Sequence, residues 1–212
     1  SPAVSLCDEG SYGNGTGLSS QHDCTQCPRG HGCRRGDLQP LPCQVGTVAP
    51  DAGMGTCAMC APGTFQDEEG QTACKPCTPG SYCPLGAGAP LPCIEGSYSS
   101  ATNLTSTGEC GPSAPGFYAA SGSTSQTPCS PGTVAPIVSM GACSMCEVGT
   151  FQDKPGQEAC KACAPGYYCS SQGASASTPC PGGTWSNATG LSSWHQCTKV
   201  VRGEWAPIGS TA

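Results

Sequence analysis

Residues 46–77 read GTVAPDAGMGTCAMCAPGTFQDEEGQTACKPC, and residues 132–163 read GTVAPIVSMGACSMCEVGTFQDKPGQEACKAC. When the comparison is widened to 43–83 and 129–169, 26 of the 41 positions are identical at an offset of 86 residues. The flanking cysteines follow the same offset, or one of 87 after a loop that is one residue longer. A repeat of fixed period predicts a tandem array rather than one globular domain.

Inside the long period lies a shorter unit of about 17 residues. Each unit begins with a cysteine or its substitute, and a glycine follows three residues later. We call these the first glycines: Gly10, Gly30, Gly46, Gly63, Gly80, Gly96, Gly116, Gly132, Gly149, Gly166, Gly183 and Gly203. Two residues further on stands an aromatic residue or valine, except in the second unit, which has Gly32. A glycine at a fixed place indicates positive φ or close chain approach, so we predict a turn that leads into a short strand.

The composition makes disulfides the expected substitute for a large core. The 212 residues include 20 Cys, 31 Gly and 21 Pro, and only 6% are aromatic. So few large apolar side chains cannot fill a core of this size, and no 3.6-residue apolar period predicts a stable helix. We therefore predict a small disulfide-rich fold, mostly irregular with short antiparallel β hairpins, extended as an elongated tandem-repeat rod.

The repeat boundaries predict five segments. They are an N-terminal tail over 1–6, a partial repeat over 7–42, a first full repeat over 43–128, a second repeat over 129–206 and a C-terminal tail over 207–212. No composition shift marks a linker or a second kind of domain.

Charge and cysteine content limit the compartment and the partners. The net charge is −6, which argues against nucleic acid because phosphate binding needs a basic face. No apolar run approaches the roughly 18 residues of a membrane span, so we expect no direct membrane insertion. An even cysteine count at this density is typical of an extracellular or cell-surface protein. The opening SPAVSLC contains no signal peptide, which we interpret as a mature form or a fragment.

The repeat also provides a control for disulfide connectivity. Cys27 and Cys33 are both absent one repeat later, where Ser113 and Ala119 stand. Cysteines that disappear together are expected to bond to each other, since losing one alone leaves a free thiol. By repeat, and with the rest closing inside their own units, the predicted bridges are Cys7–Cys24, Cys27–Cys33, Cys43–Cys57, Cys60–Cys74, Cys77–Cys83, Cys93–Cys110, Cys129–Cys143, Cys146–Cys160, Cys163–Cys169 and Cys180–Cys197.

Two other uses of the cysteines stay open. A nested scheme that joins Cys24 to Cys43 leaves Cys197 without a partner unless the chain continues. Zinc is the second alternative, because a four-cysteine spacing occurs at Cys57, Cys60, Cys74 and Cys77 and again at Cys143, Cys146, Cys160 and Cys163. Zinc would leave the other cysteines without a role, so we expect disulfides, no metal and no other cofactor.

The three asparagines of the chain all stand in acceptor sequences for N-glycans. These are Asn14-Gly-Thr16, Asn103-Leu-Thr105 and Asn187-Ala-Thr189, and all three fall in the same type of unit. The alternative is an accident of Ser and Thr richness that duplication copied. We favour covalent N-glycans, which imply a surface protein.

One tripeptide suggests adhesion. Arg35-Gly36-Asp37 spells an integrin-type adhesion motif in the linker before Cys43, whereas its repeat counterparts lack it, so a chance match is the alternative. His22 and His195 share one register, which indicates duplication rather than an active site. No motif suggests a nucleophile with a base and an acid, so we predict that the chain is not an enzyme.

The Cys-x-x-Gly-[Ser/Thr]-[Tyr/Phe] pattern, with its Cys-x-x-Cys joints, resembles the ephrin-receptor-like cysteine-rich repeats. It is also similar to the single-disulfide module of tumour-necrosis-factor receptors, whose cysteines pair first with second. GTFQDEEGQTACKPCTPGSYC over 63–83 and GTFQDKPGQEACKACAPGYYC over 149–169 carry the likeness, which extends over 7–206. The departures are Ser113 with Ala119 and Val200 with Ala206, and they leave the rigidity of those two units open.

The resemblance implies an extracellular role. Such repeats occur in receptor ectodomains and in very large algal and protist surface proteins, including mastigoneme-like flagellar-hair proteins. We expect a structural glycoprotein, either a rigid spacer or the protomer of a surface or flagellar-hair-like fibre. The alternative is a ligand-binding or adhesive ectodomain fragment of a cell-surface receptor. The near-uniform units favour the structural role, because a binding module usually has one unit that breaks the repeat.

The two ends of the chain complete the expectation about partners. SPAVSL at the start and VVRGEWAPIGSTA at the end are apolar and look uncapped. An uncapped repeat accepts another copy in a contact that does not close. We expect copies of the chain head to tail, or other surface glycoproteins, as partners.

Overall fold

The fold consists of successive short hairpins in two compact bodies. The structure is a computed structural model, and it describes residues 5–211. Within these residues, the N-terminal body comprises 5–93 and 99–110, and the C-terminal body comprises 94–98 and 111–211. Three short 3-10 turns lie at Gln21–Asp23, Thr107–Glu109 and Trp194–Gln196. The predicted disulfide-rich fold with short antiparallel hairpins is confirmed.

In the N-terminal body each odd-numbered strand pairs with the strand that follows it. The strands are β1 (Ser11–Tyr12), β2 (Thr25–Gln26), β3 (His31–Gly32), β4 (Leu41–Pro42), β5 (Thr47–Val48), β6 (Ala58–Met59), β7 (Thr64–Phe65), β8 (Lys75–Pro76), β9 (Ser81–Tyr82) and β10 (Leu91–Pro92).

The C-terminal body repeats this arrangement. Its strands are β11 (Ser97–Tyr98), β12 (Gly111–Pro112), β13 (Phe117–Tyr118), β14 (Thr127–Pro128), β15 (Thr133–Val134), β16 (Ser144–Met145), β17 (Thr150–Phe151), β18 (Lys161–Ala162), β19 (Tyr167–Tyr168), β20 (Thr178–Pro179), β21 (Thr184–Trp185) and β22 (Thr198–Lys199). An isolated pair of two-residue strands is not stable in water, so each hairpin depends on its disulfide and its neighbours.

The turn before each outgoing strand explains the Cys-x-x-Gly-[Ser/Thr] pattern. Gly63 has φ of 83°, a left-handed conformation that residues with a side chain rarely adopt. The backbone N–H of Thr64 donates to the Ala61 carbonyl oxygen at 3.0 Å, and its hydroxyl donates to the same oxygen at 2.7 Å. The serine or threonine after the glycine therefore closes the turn twice.

Backbone hydrogen bonds then join each unit to the next. The N–H of Gly63 donates to the Cys83 carbonyl oxygen, and the Gly63 carbonyl accepts from the N–H of Cys77. The same two bonds recur at Gly149, with Cys169 and Cys163. From Gly10 to Gly183, each first glycine is thus both an acceptor that closes its own hairpin and a donor to the following unit.

A second left-handed position per unit was not predicted from the sequence. These positions are Gly17, Gly36, Gly53, Gly70, Gly86, Asn103, Gly122, Ser139, Gly156, Gly173, Gly190 and Gly209, all with positive φ. The N–H of Gly86 donates to the Cys60 carbonyl oxygen, and the Gly86 carbonyl lies against Gly46. A Cβ on Gly46 would collide with that oxygen, so the first glycines also permit close chain approach.

Disulfides and single aromatic rings fill the interior. Tyr82 packs against the next disulfide loop, on Cys93, Leu104 and Cys110. In the C-terminal body Tyr168 packs in the same way on the loop of Cys180 and Cys197. These small cores therefore join the ring of one unit to the disulfide of the next unit.

All twenty cysteines lie in the described part of the chain, and each forms a disulfide with a neighbour in sequence. The bridges are Cys7–Cys24, Cys27–Cys33, Cys43–Cys57, Cys60–Cys74, Cys77–Cys83, Cys93–Cys110, Cys129–Cys143, Cys146–Cys160, Cys163–Cys169 and Cys180–Cys197. Because every bridge closes a short loop, the disulfides stabilise single units and do not link distant ones.

The two units without their own short-loop bridge differ from each other. Ser113 and Ala119 are fully buried, the N–H of Ser113 donates to the Gly96 carbonyl oxygen, and hairpin β13–β14 is intact. In the last unit no hairpin forms within the described residues, and the Trp205 side chain is 83% exposed. Hydrogen bonds and packing therefore maintain the Ser113 unit without sulfur.

Candidate functional site

The three sequon asparagines lie on the surface of their disulfide loops. Asn14, Asn103 and Asn187 are all exposed, in the loops closed by Cys7–Cys24, Cys93–Cys110 and Cys180–Cys197. Their exposure leaves room for a bulky glycan. Asn187 also interacts with other groups of the folded chain.

The backbone sets two kinds of sequon. Asn14 and Asn187 each stand four residues after a first glycine, directly beyond strands β1 and β21. Asn103 instead occupies the second left-handed position of its unit, with φ of 62°, where Gly17 and Gly190 stand in the corresponding units. The backbone N–H of Asn103 donates to the Cys77 carbonyl oxygen at 3.1 Å.

Each of these three loops ends in a capped 3-10 turn. The Asp23 carboxylate accepts hydrogen bonds from the backbone N–H groups of Ser19 and Ser20, and these bonds together with the Ser19 hydroxyl lower the pKa of Asp23. Glu109 accepts from the Thr105 hydroxyl and backbone, which lowers the pKa of Glu109. Thr105 is also the hydroxyl residue of the Asn103 sequon.

The third loop uses an amide for the same purpose. The Gln196 Oε1 atom accepts from the Ser192 N–H at 2.7 Å and from the Ser193 N–H at 3.0 Å. Because an uncharged side chain suffices here, the turn needs an oxygen acceptor rather than a negative charge.

The Arg-Gly-Asp tripeptide lies in a tight turn. The Arg35 side chain is exposed, whereas Gly36, with φ of 86°, donates its N–H to the Cys7 carbonyl oxygen at 2.9 Å. The Asp37 carboxylate is half-buried and accepts from the Arg34 N–H at 2.7 Å. The structure thus uses Gly36 and Asp37 in the regular bonding of the unit.

A concave surface adjoins this turn in the N-terminal body. A cavity of about 700 Å³ is lined by Arg35 and Asp37 together with Gln21, Leu18 and Leu38. With Asp8 and Leu6, which also line it, the cavity combines one cation, two carboxylates, an amide and three leucines, which are groups able to bind a polar peptide.

The described residues contain no arrangement suited to a metal. Between Ser5 and Thr211, no group of three or more His, Cys, Asp or Glu side chains could hold a metal ion. Two of the acids at 67–69 instead pair with a lysine on the facing strand, since the Lys75 Nζ atom lies 2.6 Å from Asp67 Oδ1 and 3.8 Å from Glu68 Oε1. This pair lowers the pKa of Asp67 and raises that of Lys75, mainly through the hydrogen bond between them. No helical segment within 5–211 has the length and apolar character to cross a membrane.

Sequence analysis missed two buried glutamines. Gln66 is 1% exposed, its Nε2 donates to the Ala73 carbonyl oxygen at 2.7 Å, and its Oε1 accepts from the Glu68 N–H. Gln152 does the same in the second copy, with Ala159 and Lys154. The signal was the identity of both copies at this position, although the repeat alone does not distinguish a buried amide from an exposed one.

The comparison with known families agrees with this geometry. The family model described as tyrosine-protein kinase ephrin type A/B receptor-like matches residues 46–84 and 132–180. The chain contains ephrin-receptor-like repeats. The resemblance inferred from the cysteine and glycine spacing is confirmed in these two stretches, which carry an extracellular cysteine-rich module of a family that is not one of enzymes. A search of curated proteins found no match.

Proposed function

We propose that the chain is part of an extracellular structural glycoprotein, a rigid cysteine-rich spacer or the protomer of a surface fibre. The observation that carries this proposal is the uniform bonding of the first glycines. From Gly10 to Gly183, each donates its N–H to the unit that follows, and its carbonyl accepts the N–H that closes its own hairpin. A repeat whose units bond alike is suited to holding a distance rather than to binding one ligand.

The surface chemistry supports the same role. Asn14, Asn103 and Asn187 are exposed acceptors for N-glycans, and a glycan shields a protein that has little core. The cysteines form disulfides, Asp23 and Glu109 serve turns, and Asp67 and Asp153 serve ion pairs, so a role in catalysis is not proposed. We propose other copies of the chain, joined head to tail, or neighbouring surface glycoproteins as partners.

Electron microscopy of the native glycosylated protein tests the structural role. We expect elongated particles of constant width, and longer fibres as the concentration rises. X-ray scattering on the same sample provides an independent measure of length. Compact particles whose scattering fits a globule would contradict the spacer and the fibre alike.

The cavity beside Arg35 and Asp37 favours one alternative, an adhesive or ligand-binding ectodomain. An adhesion assay with the immobilised chain tests it, using Asp37→Asn, which keeps an oxygen acceptor for the Arg34 N–H but removes the charge. Integrin-dependent attachment that is lost in this variant, and retained in an Asp51→Asn control on another exposed turn, would favour adhesion. Equal attachment to all three proteins would remove the tripeptide from consideration.

A further inference from the structure

Two of the three sequons place an aromatic ring two residues before the asparagine. Tyr12-Gly-Asn14 and Trp185-Ser-Asn187 share this spacing, and the backbone from the strand to the asparagine contains no turn or bend. In an extended chain, side chains two residues apart lie on the same side. Each acceptor nitrogen is therefore beside a ring that is half-buried and still partly open to solvent.

Two other units show what occupies the space above this ring. In the unit of Phe151, Asp153 stands at the position that Asn14 and Asn187 take in theirs. The Lys161 Nζ atom binds the Asp153 carboxylate and lies 5.9 Å from the centroid of the Phe151 ring. A group held by the side chain at this position thus reaches the face of the ring. The Lys75–Asp67 ion pair recurs in the other copy, where Lys75 again lies opposite the aromatic residue, Phe65.

In the units of Asn14 and Asn187, the facing strand does not fill the space above the ring. The residue opposite Phe151 is Lys161, whereas the residues opposite Tyr12 and Trp185 are Thr25 and Thr198. A threonine side chain is too short to reach across the ring as a lysine does. Both threonines are exposed, so the facing strand leaves this side of the ring uncovered.

We propose that the first N-acetylglucosamine on Asn14 packs on the Tyr12 ring, and that the first N-acetylglucosamine on Asn187 packs on the Trp185 ring. Each sugar is then a covalently attached cover for the hairpin that carries the ring. This inference rests on the proposed N-glycosylation. A pyranose presents an apolar face of C–H groups, and an aromatic ring is a large apolar surface with a negative face that attracts them. The sugar would take the position that Lys161 takes over Phe151.

The third sequon provides the matched control. Asn103 lies seven residues after Gly96, and the position equivalent to Asn14 is occupied there by Ser100. Its left-handed backbone places it beyond the extended segment that follows Tyr98. We therefore expect the glycan on Asn103 to make no contact with a ring and to leave the stability of its unit unchanged.

The experiment uses the full chain from a glycosylating host in three forms. These are the intact glycoprotein, the same protein trimmed by an endoglycosidase to the first sugar, and the variant Thr189→Ala, which keeps Asn187 but removes its sequon. The readout is hydrogen exchange at the Val200 N–H, which donates to the Gly183 carbonyl in hairpin β21–β22. We expect equal protection in the intact and trimmed forms, and an approximately threefold to tenfold loss in Thr189→Ala.

The same measurement on hairpin β1–β2 uses Thr16→Ala and the Cys27 N–H. The control is Asn103→Asp, which removes the third sequon, keeps a residue that tolerates the left-handed backbone and should lose no protection. The N-acetyl methyl resonances of the first sugars report ring contact independently, because a methyl group above a ring shifts upfield. Mass spectrometry that finds Asn14 and Asn187 unmodified would overturn both this inference and the glycan part of the proposed function. Full occupancy with unchanged protection and unshifted methyl resonances would overturn this inference alone.

Discussion

At the residue scale, the left-handed positions determine which residues the units tolerate. The first glycines were predicted from sequence because a glycine recurs three residues after the cysteine, or its substitute, that begins each unit. The second left-handed positions were not, because their distance from the cysteine varies and Asn103 and Ser139 interrupt the glycine pattern. A rule of one residue type at fixed spacing finds the first set and misses the second.

Ser139 provides the direct test of this second set. Its φ is 61°, whereas its counterpart Gly53 has φ of 80°. This left-handed conformation raises the free energy of a residue that has a Cβ. We expect Ser139→Gly to raise the free energy of unfolding by roughly 1 kcal/mol, measured from denaturant midpoints with the disulfides intact. The reverse change, Gly53→Ser, should lower it. An unchanged or lower midpoint in Ser139→Gly would contradict the assignment.

Glu109 provides a test that depends on pH. Its pKa is lowered from the ordinary value of 4.5 by hydrogen bonds from Thr105, so the charged form is favoured in the folded chain. The stability that it contributes is therefore present above 4.5 and is lost as the pH falls through the lower folded value. Glu109→Gln copies Gln196 and should reduce the loss of stability on acidification, as measured by denaturation between neutral and acid pH. Identical pH profiles for the two proteins would contradict this role.

At the element scale, each hairpin is completed by its disulfide loop and by bonds to the next unit. The hairpins and their boundaries follow from the Cys-x-x-Gly-[Ser/Thr] turn, because the hydroxyl residue closes the turn beside the glycine. The intact hairpin at Ser113 did not follow, since sequence cannot tell whether a unit without its bridge still packs. The buried Ser113 hydroxyl, which donates to the Met140 carbonyl oxygen at 3.2 Å, helps to explain why it does.

The Ser113 unit should accept the bridge that its relatives have. Ser113 and Ala119 take the places of Cys27 and Cys33, whose Cα atoms are 5.8 Å apart. We expect Ser113→Cys with Ala119→Cys to form an eleventh disulfide and to add about 2 kcal/mol to the free energy of unfolding. Thiol titration and denaturant midpoints measure the two effects. Either single variant is the control, with one free thiol and no gain, and two free thiols in the double variant would contradict the equivalence.

At the scale of the whole molecule, the chain is stabilised unit by unit. The family, the hairpin fold and the repeat could be predicted because they depend on local spacing, whereas the buried glutamines and the sites on the surface depend on neighbours that spacing does not specify. The tripeptide at Arg35–Asp37 illustrates the limit, since its sequence suggests a free loop and its backbone is bonded into the unit.

Proteolysis tests the consequence of local closure. Apart from Trp205 near the end, Phe117 and Tyr118 are the aromatic residues that lie outside every disulfide loop, in the stretch 111–128 between Cys110 and Cys129. A protease specific for aromatic residues should therefore separate the chain into two large fragments only there on a non-reducing gel. The double cysteine variant should keep the two fragments linked. Separation at another site would contradict local closure.

Peptide mapping of the native protein under non-reducing conditions tests the central claim, that each disulfide closes its own unit in sequence order. The predicted result is ten linked peptide pairs, including Cys7 with Cys24, Cys43 with Cys57 and Cys180 with Cys197, and no free thiol. A peptide that links Cys24 to Cys43, or bound zinc accompanied by free thiols, would contradict it.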